Sequence, residues 1–182
     1  LNAVELSDFS ASMESLAEQI HATFAPPDMN SVLRAARALD ATAARLDTQI
    51  DLGVELGEPI GAAQLAAIAR KLDLFDRGAG RHACFAESGE LLFTMGPGPS
   101  ADRIAFVLDV PRTAAAHDAW RGMVNCASAC AQRLGGRMID GAGRGLSVGM
   151  IDTVGRQLAQ RYQELADAGL AAGSPAALRV FS

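Results

Sequence analysis

From residue 49 the apolar residues change their spacing from that of a helix to strict alternation: Ile50, Leu52, Val54 and Leu56 interleave with Asp51, Gly53 and Glu55. Successive side chains of a strand point to opposite faces, so this segment has one apolar and one polar face. A chain containing such a strand is constrained to build a sheet covered on one side and left open on the other. The alternation also marks a boundary, with residues 1–46 ahead of it as a helical segment and residues 47–182 behind it as the sheet domain.

The stretch 82–146 supplies the remaining strands. His82 to Phe85 and Leu91 to Met95 are β-rich runs separated by Glu87-Ser88-Gly89-Glu90, which predicts a hairpin. A Gly-Pro-Gly-Pro loop then leads to a strand over 103–110 that Pro111 closes, since proline cannot donate to the next ladder position. A helix over about 114–134 places Trp120, Met123 or Val124, Ala127, Cys130 or Ala131, and Leu134 on one face, and Gly135-Gly136 ends it. A short strand at 137–140 follows, then a turn through Gly143. Ser147 is placed to cap a last helix over about 148–170 whose inward residues are Ile151, Val154, Leu158 and Leu165. Between the first strand and the hairpin, Leu65, Ile68 and Leu72 define a helix over 61–72. The order of elements is that of an α+β domain with an antiparallel sheet and helices on a single face.

Ahead of the boundary, Phe9, Met13, Leu16 and Ile20 predict a helix over 7–23 with Ser7 as its cap, ended by Pro26-Pro27. Val32, Leu33, Ala36, Leu39, Ala43 and Leu46 predict a second helix over 30–46. This pair has the same layout as the helices at 120–134 and 148–165, which makes residues 1–46 a candidate for the back half of an upstream repeat, with residues 1–6 as the end of its last strand.

Composition excludes several classes. The 182 residues carry a net charge of −5, and Lys71 is the only lysine, so there is no basic stripe for a phosphate backbone. No apolar run approaches the ~20 residues that cross a bilayer, and the first residues lack the pattern of a signal peptide. The three cysteines fit neither a disulfide framework nor a zinc site, which is compatible with a reducing, cytoplasmic-side setting. Gly141, Gly143 and Gly145 do not follow the dinucleotide fingerprint, and no second parallel strand follows them, so a hairpin-like turn is the better reading. His21, His82 and His117 lack ligands at metal spacing and read as surface or edge residues; Cys126 and Cys130 read as small apolar packing residues. No Gly-x-Ser-x-Gly elbow is present, and Asp51 with Glu55 reads as a polar strand face rather than an acid/base pair. Neither catalysis nor a cofactor is expected.

Three segments carry a resemblance to a known family. Leu92-Phe93-Thr94-Met95 looks like a Leu-Phe-Ser-Leu strand, the next strand closes in Val110-Pro111, and Gly135-Gly136-Arg137-Met138-Ile139-Asp140-Gly141-Ala142-Gly143-Arg144 is similar to a strand ending in Asp-Asp-x-x-Arg. Together they resemble the C-terminal domain of ZipA, the bacterial division protein that holds FtsZ at the membrane, over about residues 48–170. The resemblance implies a split β-α-β fold whose open sheet face binds the C-terminal peptide of FtsZ, on the cytoplasmic side of the inner membrane at the division septum. Alternation places Asp51, Gly53, Leu92, Thr94, Gly96, Ala105, Val107 and Asp109 on that face as the expected partner-binding residues. Glu55 also points outward, and with Asp51 and Asp109 it favours a partly basic partner. Leu92 and Val107 are the expected anchors, among small and acidic groups where the family has large apolar ones. The alternative expectation is a structural or self-association module with a degenerate groove, joined through the N-terminal helices.

Overall fold

The computed structural model describes residues Leu1–Ser182. The chain divides into two compact units, Leu1–Arg45 and Leu46–Ser182. In the first, α1 spans Ala3–Gln19 and α2 begins at Met29 and runs to Leu46, whose side chain belongs to the core of the second unit. The cap of α1 is Asn2 rather than Ser7: the Asn2 side chain accepts the Glu5 N–H at 3.0 Å while Glu5 accepts the Asn2 N–H at 2.9 Å. This reciprocal capping box starts the helix well before its apolar stripe does, so residues 3–6 are its first turn and not the end of a strand.

The second unit is an α+β fold built on one six-stranded, wholly antiparallel sheet. Its strands are β1 (Gln49–Glu55), β2 (Phe75–Asp76), β3 (His82–Phe85), β4 (Leu91–Pro97), β5 (Arg103–Asp109) and β6 (Arg137–Asp140), in spatial order β2-β3-β4-β5-β1-β6. Because β5 and β6 both pair antiparallel with β1, they run parallel to each other with β1 between them. Their connection is α4 (Ala119–Leu134), and β5-α4-β6 is therefore a β-α-β unit split by β1. Helix α3 (Ala62–Lys71) carries the chain from β1 to the far edge, and β2 to β5 meander back.

β1 and β5 match residue for residue over seven pairs, from Gln49 opposite Asp109 to Glu55 opposite Arg103. That register puts Leu52 and Val54 against Phe106 and Ile104 on one face, and all four are buried. Phe93, Met95, Leu108 and Val110 join them in one core with Leu65 and Ile68 of α3, Trp120, Met123 and Ala127 of α4, and Leu158 and Leu165 of α5 (Val148–Asp167). The helices α3, α4 and α5 thus share the apolar face of the sheet. Trp120 ties two of them together: its indole N–H donates to the Ile151 carbonyl at 3.3 Å, and Gly155 leaves room for the ring.

Local sequence explains most element ends. Ser147 accepts the Met150 N–H at the start of α5, and Gly135, in the left-handed region at φ 65°, ends α4. Helix α4 begins at residue 119, later than periodicity suggests, because residues 115–117 form a separate 3₁₀ turn and Asp118 sits at φ 45°. A last short helix, α6 (Pro175–Val180), capped by Ser174 and opened by Pro175, follows the loop at 171–174. No helix is long and apolar enough to cross a membrane.

Phe106 is fully buried at the centre of this core. Phe106→Ala is expected to lower unfolding free energy in urea by about 3–5 kcal/mol. A loss under about 1 kcal/mol would mean that the sheet does not depend on this layer.

Candidate functional site

The strand registers arrange the residues of the other face in rows across the sheet; of these residues, Ala83 and Ile139 are buried. One row runs Phe75, Ala83, Thr94, Val107, Asp51. The next, two residues along each strand, runs Gly96, Ala105, Gly53, Ile139. A third runs Arg103, Glu55, Arg137. Rows separated by two residues lie roughly 7 Å apart, and the middle row is low at Gly96 and Ala105 and filled at its other end by Ile139, whose side chain lies over Gly53.

All eight sequence-expected residues fall outside the core. Asp51 is exposed, and Gly53, Leu92, Thr94, Gly96, Ala105, Val107 and Asp109 are half-buried. Leu92, Thr94, Val107 and Asp109 come together in a cleft of about 570 Å³ at one end of the face, which Arg112 and Leu178 of α6 also line. Gly96 and Ala105 form the low strip of the middle row, Gly53 lies beneath the Ile139 side chain, and Asp51 ends the neighbouring row. Larger clefts of about 820 Å³ between α4 and α5 and about 810 Å³ beside α3 lie on the helical side.

The periodicity of the sequence missed three contributors to the face. Phe75, 63% exposed, packs edge-on against Phe85 with ring centroids 5.7 Å apart, and adds an aromatic to the row that holds Val107. A two-residue strand has no period from which it could be read. Ile139 shares the row of Gly53 and lies over it; a Cβ on Gly53 would meet the Ile139 side chain at 3.0 Å, so glycine is what lets Ile139 settle there with 2% exposure. Leu178 arrives from the C-terminal helix.

Electrostatics differ from the acidic face that alternation suggests. Arg103 Nη2 donates to Glu55 Oε1 at 2.8 Å, and Arg137 donates to Glu55 Oε2 through Nε at 2.7 Å and also through Nη2. The Arg137 guanidinium, followed by that of Arg103, holds the Glu55 carboxyl below its ordinary range. Glu55 is therefore engaged in an internal ion-pair triad, its charge offset by two guanidinium groups. Asp109 behaves in the opposite way. Burial raises its pKa, against the lowering effect of the neighbouring Arg112, and one carboxylate oxygen is buried with no hydrogen-bond partner.

The glycine-rich segment after β6 is a pinned turn. Asp140 accepts the N–H groups of Ala142 and Arg144 at 3.0 and 2.8 Å and pairs with the Arg144 guanidinium, and Ile139 bridges to Gly145. His82 corrects the expectation of a surface histidine: paired with Met95 in register, it is 3% exposed, and its Nδ1 has no partner. Burial pushes the Cys126 and Cys130 thiols up to about 12 and about 11, which keeps them protonated near neutrality. No cluster of His, Cys, Asp and Glu could hold a metal ion. No known protein-family model matches this chain, and no curated protein matches it.

Two carboxylates give opposite pH signatures. Glu55 has a folded-state pKa below its unfolded value of about 4.5, so its contribution is present above that value and lost as pH falls through the folded one. Glu55→Gln is expected to lower the unfolding temperature at neutral pH, with the gap to wild type closing as pH falls below about 4; a pH-independent gap would show that the ion pairs contribute nothing. Asp109 has a folded pKa above its unfolded one, so its protonation favours the fold and its charge opposes it. Asp109→Asn is expected to be at least as stable as wild type near neutrality, with the difference shrinking in acid. A clear destabilisation would instead show that the hydrogen bonds its carboxylate accepts from the Arg112 backbone N–H and the Gln49 side chain outweigh the burial of its charge.

Proposed function

We propose that this chain is a non-enzymatic protein-binding domain of a ZipA-like division protein, and that its open sheet face takes the C-terminal peptide of FtsZ. The observation that carries this reading is the contrast between the two faces of one sheet. One is sealed by three helices. The other keeps an aliphatic cleft at Leu92 and Val107 beside a low strip at Gly96 and Ala105. A short peptide needs such a surface: a pocket for one or two apolar anchors and a shallow floor that lets its backbone approach.

The resemblance of residues 92–95, 110–111 and 135–144 to the ZipA C-terminal domain supports the same reading and supplies the partner. In this reading Asp51, Gly53, Leu92, Thr94, Gly96, Ala105, Val107 and Asp109 contact the peptide, Val107 and Leu92 anchor it, and no cofactor takes part. The domain would act on the cytoplasmic side of the inner membrane at the division septum, linking FtsZ polymers to the membrane. Phe75 and Leu178 extend the apolar area beyond the two aliphatic anchors. With Glu55 neutralised by Arg103 and Arg137, charge no longer favours a basic partner as strongly as the strand sequence implies.

Titration of a synthetic FtsZ C-terminal peptide into the full chain by calorimetry tests the proposal. Binding is expected, and Val107→Glu is expected to weaken it at least tenfold, about 1.4 kcal/mol, with thermal unfolding unchanged. If the parent binds and Val107→Glu binds equally well, the site lies elsewhere. Absence of binding by the parent would favour a structural module instead.

A further inference from the structure

The cleft at Leu92 and Val107 is flanked by two guanidinium groups that the chain leaves unused. Arg81 and Arg112 both line it, both are exposed, and neither takes part in an ion pair. Their main chains hold them in place. The Arg81 N–H donates to the Gly78 carbonyl at 2.9 Å and its own carbonyl accepts the Arg77 N–H at 2.8 Å. The Arg81 stem runs beside Gly96, where a Cβ would meet the Arg81 Cγ at 3.6 Å. The Arg112 backbone N–H donates to the Asp109 carboxylate, which leaves its guanidinium to the cleft. A side chain on a fixed backbone has less freedom to lose when it meets a ligand.

The two carboxylates in the same lining are already engaged. Glu90 accepts the Ser88 hydroxyl and lies 3.9 Å from the His117 imidazole. Asp109 accepts from the Arg112 backbone and the Gln49 side chain, and its remaining oxygen is buried. The unpaired charge at the cleft is therefore positive, on a chain whose net charge is −5. Strand alternation does not reveal this, because Arg81 precedes β3 and Arg112 follows β5.

From this arrangement we infer that the ligand of the cleft is an acidic apolar peptide: an aliphatic or aromatic side chain seats against Leu92 and Val107, and carboxylates next to it in sequence pair with Arg81 and Arg112. The inference rests on the reading of the open face as a peptide site and adds the chemistry of the ligand. That chemistry is opposite to the partly basic partner that Asp51, Glu55 and Asp109 imply. A guanidinium holds a carboxylate through two parallel N–H···O bonds, which fixes orientation as well as adding attraction. An apolar anchor alone slides in a shallow cleft, and charge contacts on either side of it set one register. A basic peptide would face two free guanidiniums and find no free carboxylate in the lining.

Selection of a random peptide library on the full chain tests this without assuming a partner. Wild type is expected to enrich peptides with Asp or Glu beside a large apolar residue. Arg81→Glu with Arg112→Glu is expected to enrich Lys or Arg there instead, with thermal unfolding unchanged, a swap of preference that misfolding cannot produce. For one selected peptide, Arg81→Gln and Arg112→Gln are each expected to weaken binding about fivefold, the upper range for an exposed pair, and to flatten its salt dependence. Selected peptides without acidic enrichment, or an unchanged preference in the charge-reversed variant, would overturn the inference and leave the apolar cleft standing as a peptide site. Selection of no peptide at all would overturn both. Acidic apolar peptides that bind while the FtsZ C-terminal peptide does not would support the inference and remove only that partner.

Discussion

The pairing of β1 with β5 is the constraint from which the rest follows. Side chains alternate along a strand, and a slip of one residue would exchange the two faces. In the observed register Leu52 and Val54 stand beside Phe106 and Ile104, and Asp51 and Gly53 stand beside Val107 and Ala105. Every large apolar residue of the central pair except Val107 therefore lies on one side. The helices must cover that side, because leaving Phe106, Ile104 and Leu108 in water would forgo the main favourable contribution to folding. On the opposite side the central pair offers only Val107 among small and polar residues, too little to hold a second layer.

What remains on that side is a surface graded from end to end. The Leu92–Val107 end is aliphatic and lined by α6, the middle is floored by glycine and alanine, and the far end is fixed by the Arg103–Glu55–Arg137 triad. The edges of the sheet are short, two residues in β2 and four in β6, which limits pairing of foreign strands there. Recognition through the face rather than an edge is consistent with that economy.

Local pattern carried most of this architecture. Alternation over 49–56 and 103–110 identifies the two central strands and their faces, and the 3.6-residue period around Trp120 and Leu158 identifies the helices that cover them. Features that depend on a partner distant in sequence were not legible. Ile139 could be placed over Gly53 only once β6 was known to pair with β1, and Glu55 is neutralised by arginines contributed by β5 and β6. Phe75 belongs to a strand of two residues, too short for any period. The start of α1 was legible in a different signal, the Asn2 to Glu5 capping box, which the later apolar stripe from Phe9 outweighed.

The most direct test of the claim that the open face is the binding surface is a chemical-shift map of the isotope-labelled chain with the FtsZ C-terminal peptide. The account predicts that the amides of Leu92, Thr94, Gly96, Ala105 and Val107, with Asp51 and Gly53, move together and that those of α3, α4 and α5 stay in place. Shifts confined to the helical side or to α1 and α2, or no shifts at saturating peptide, would contradict it.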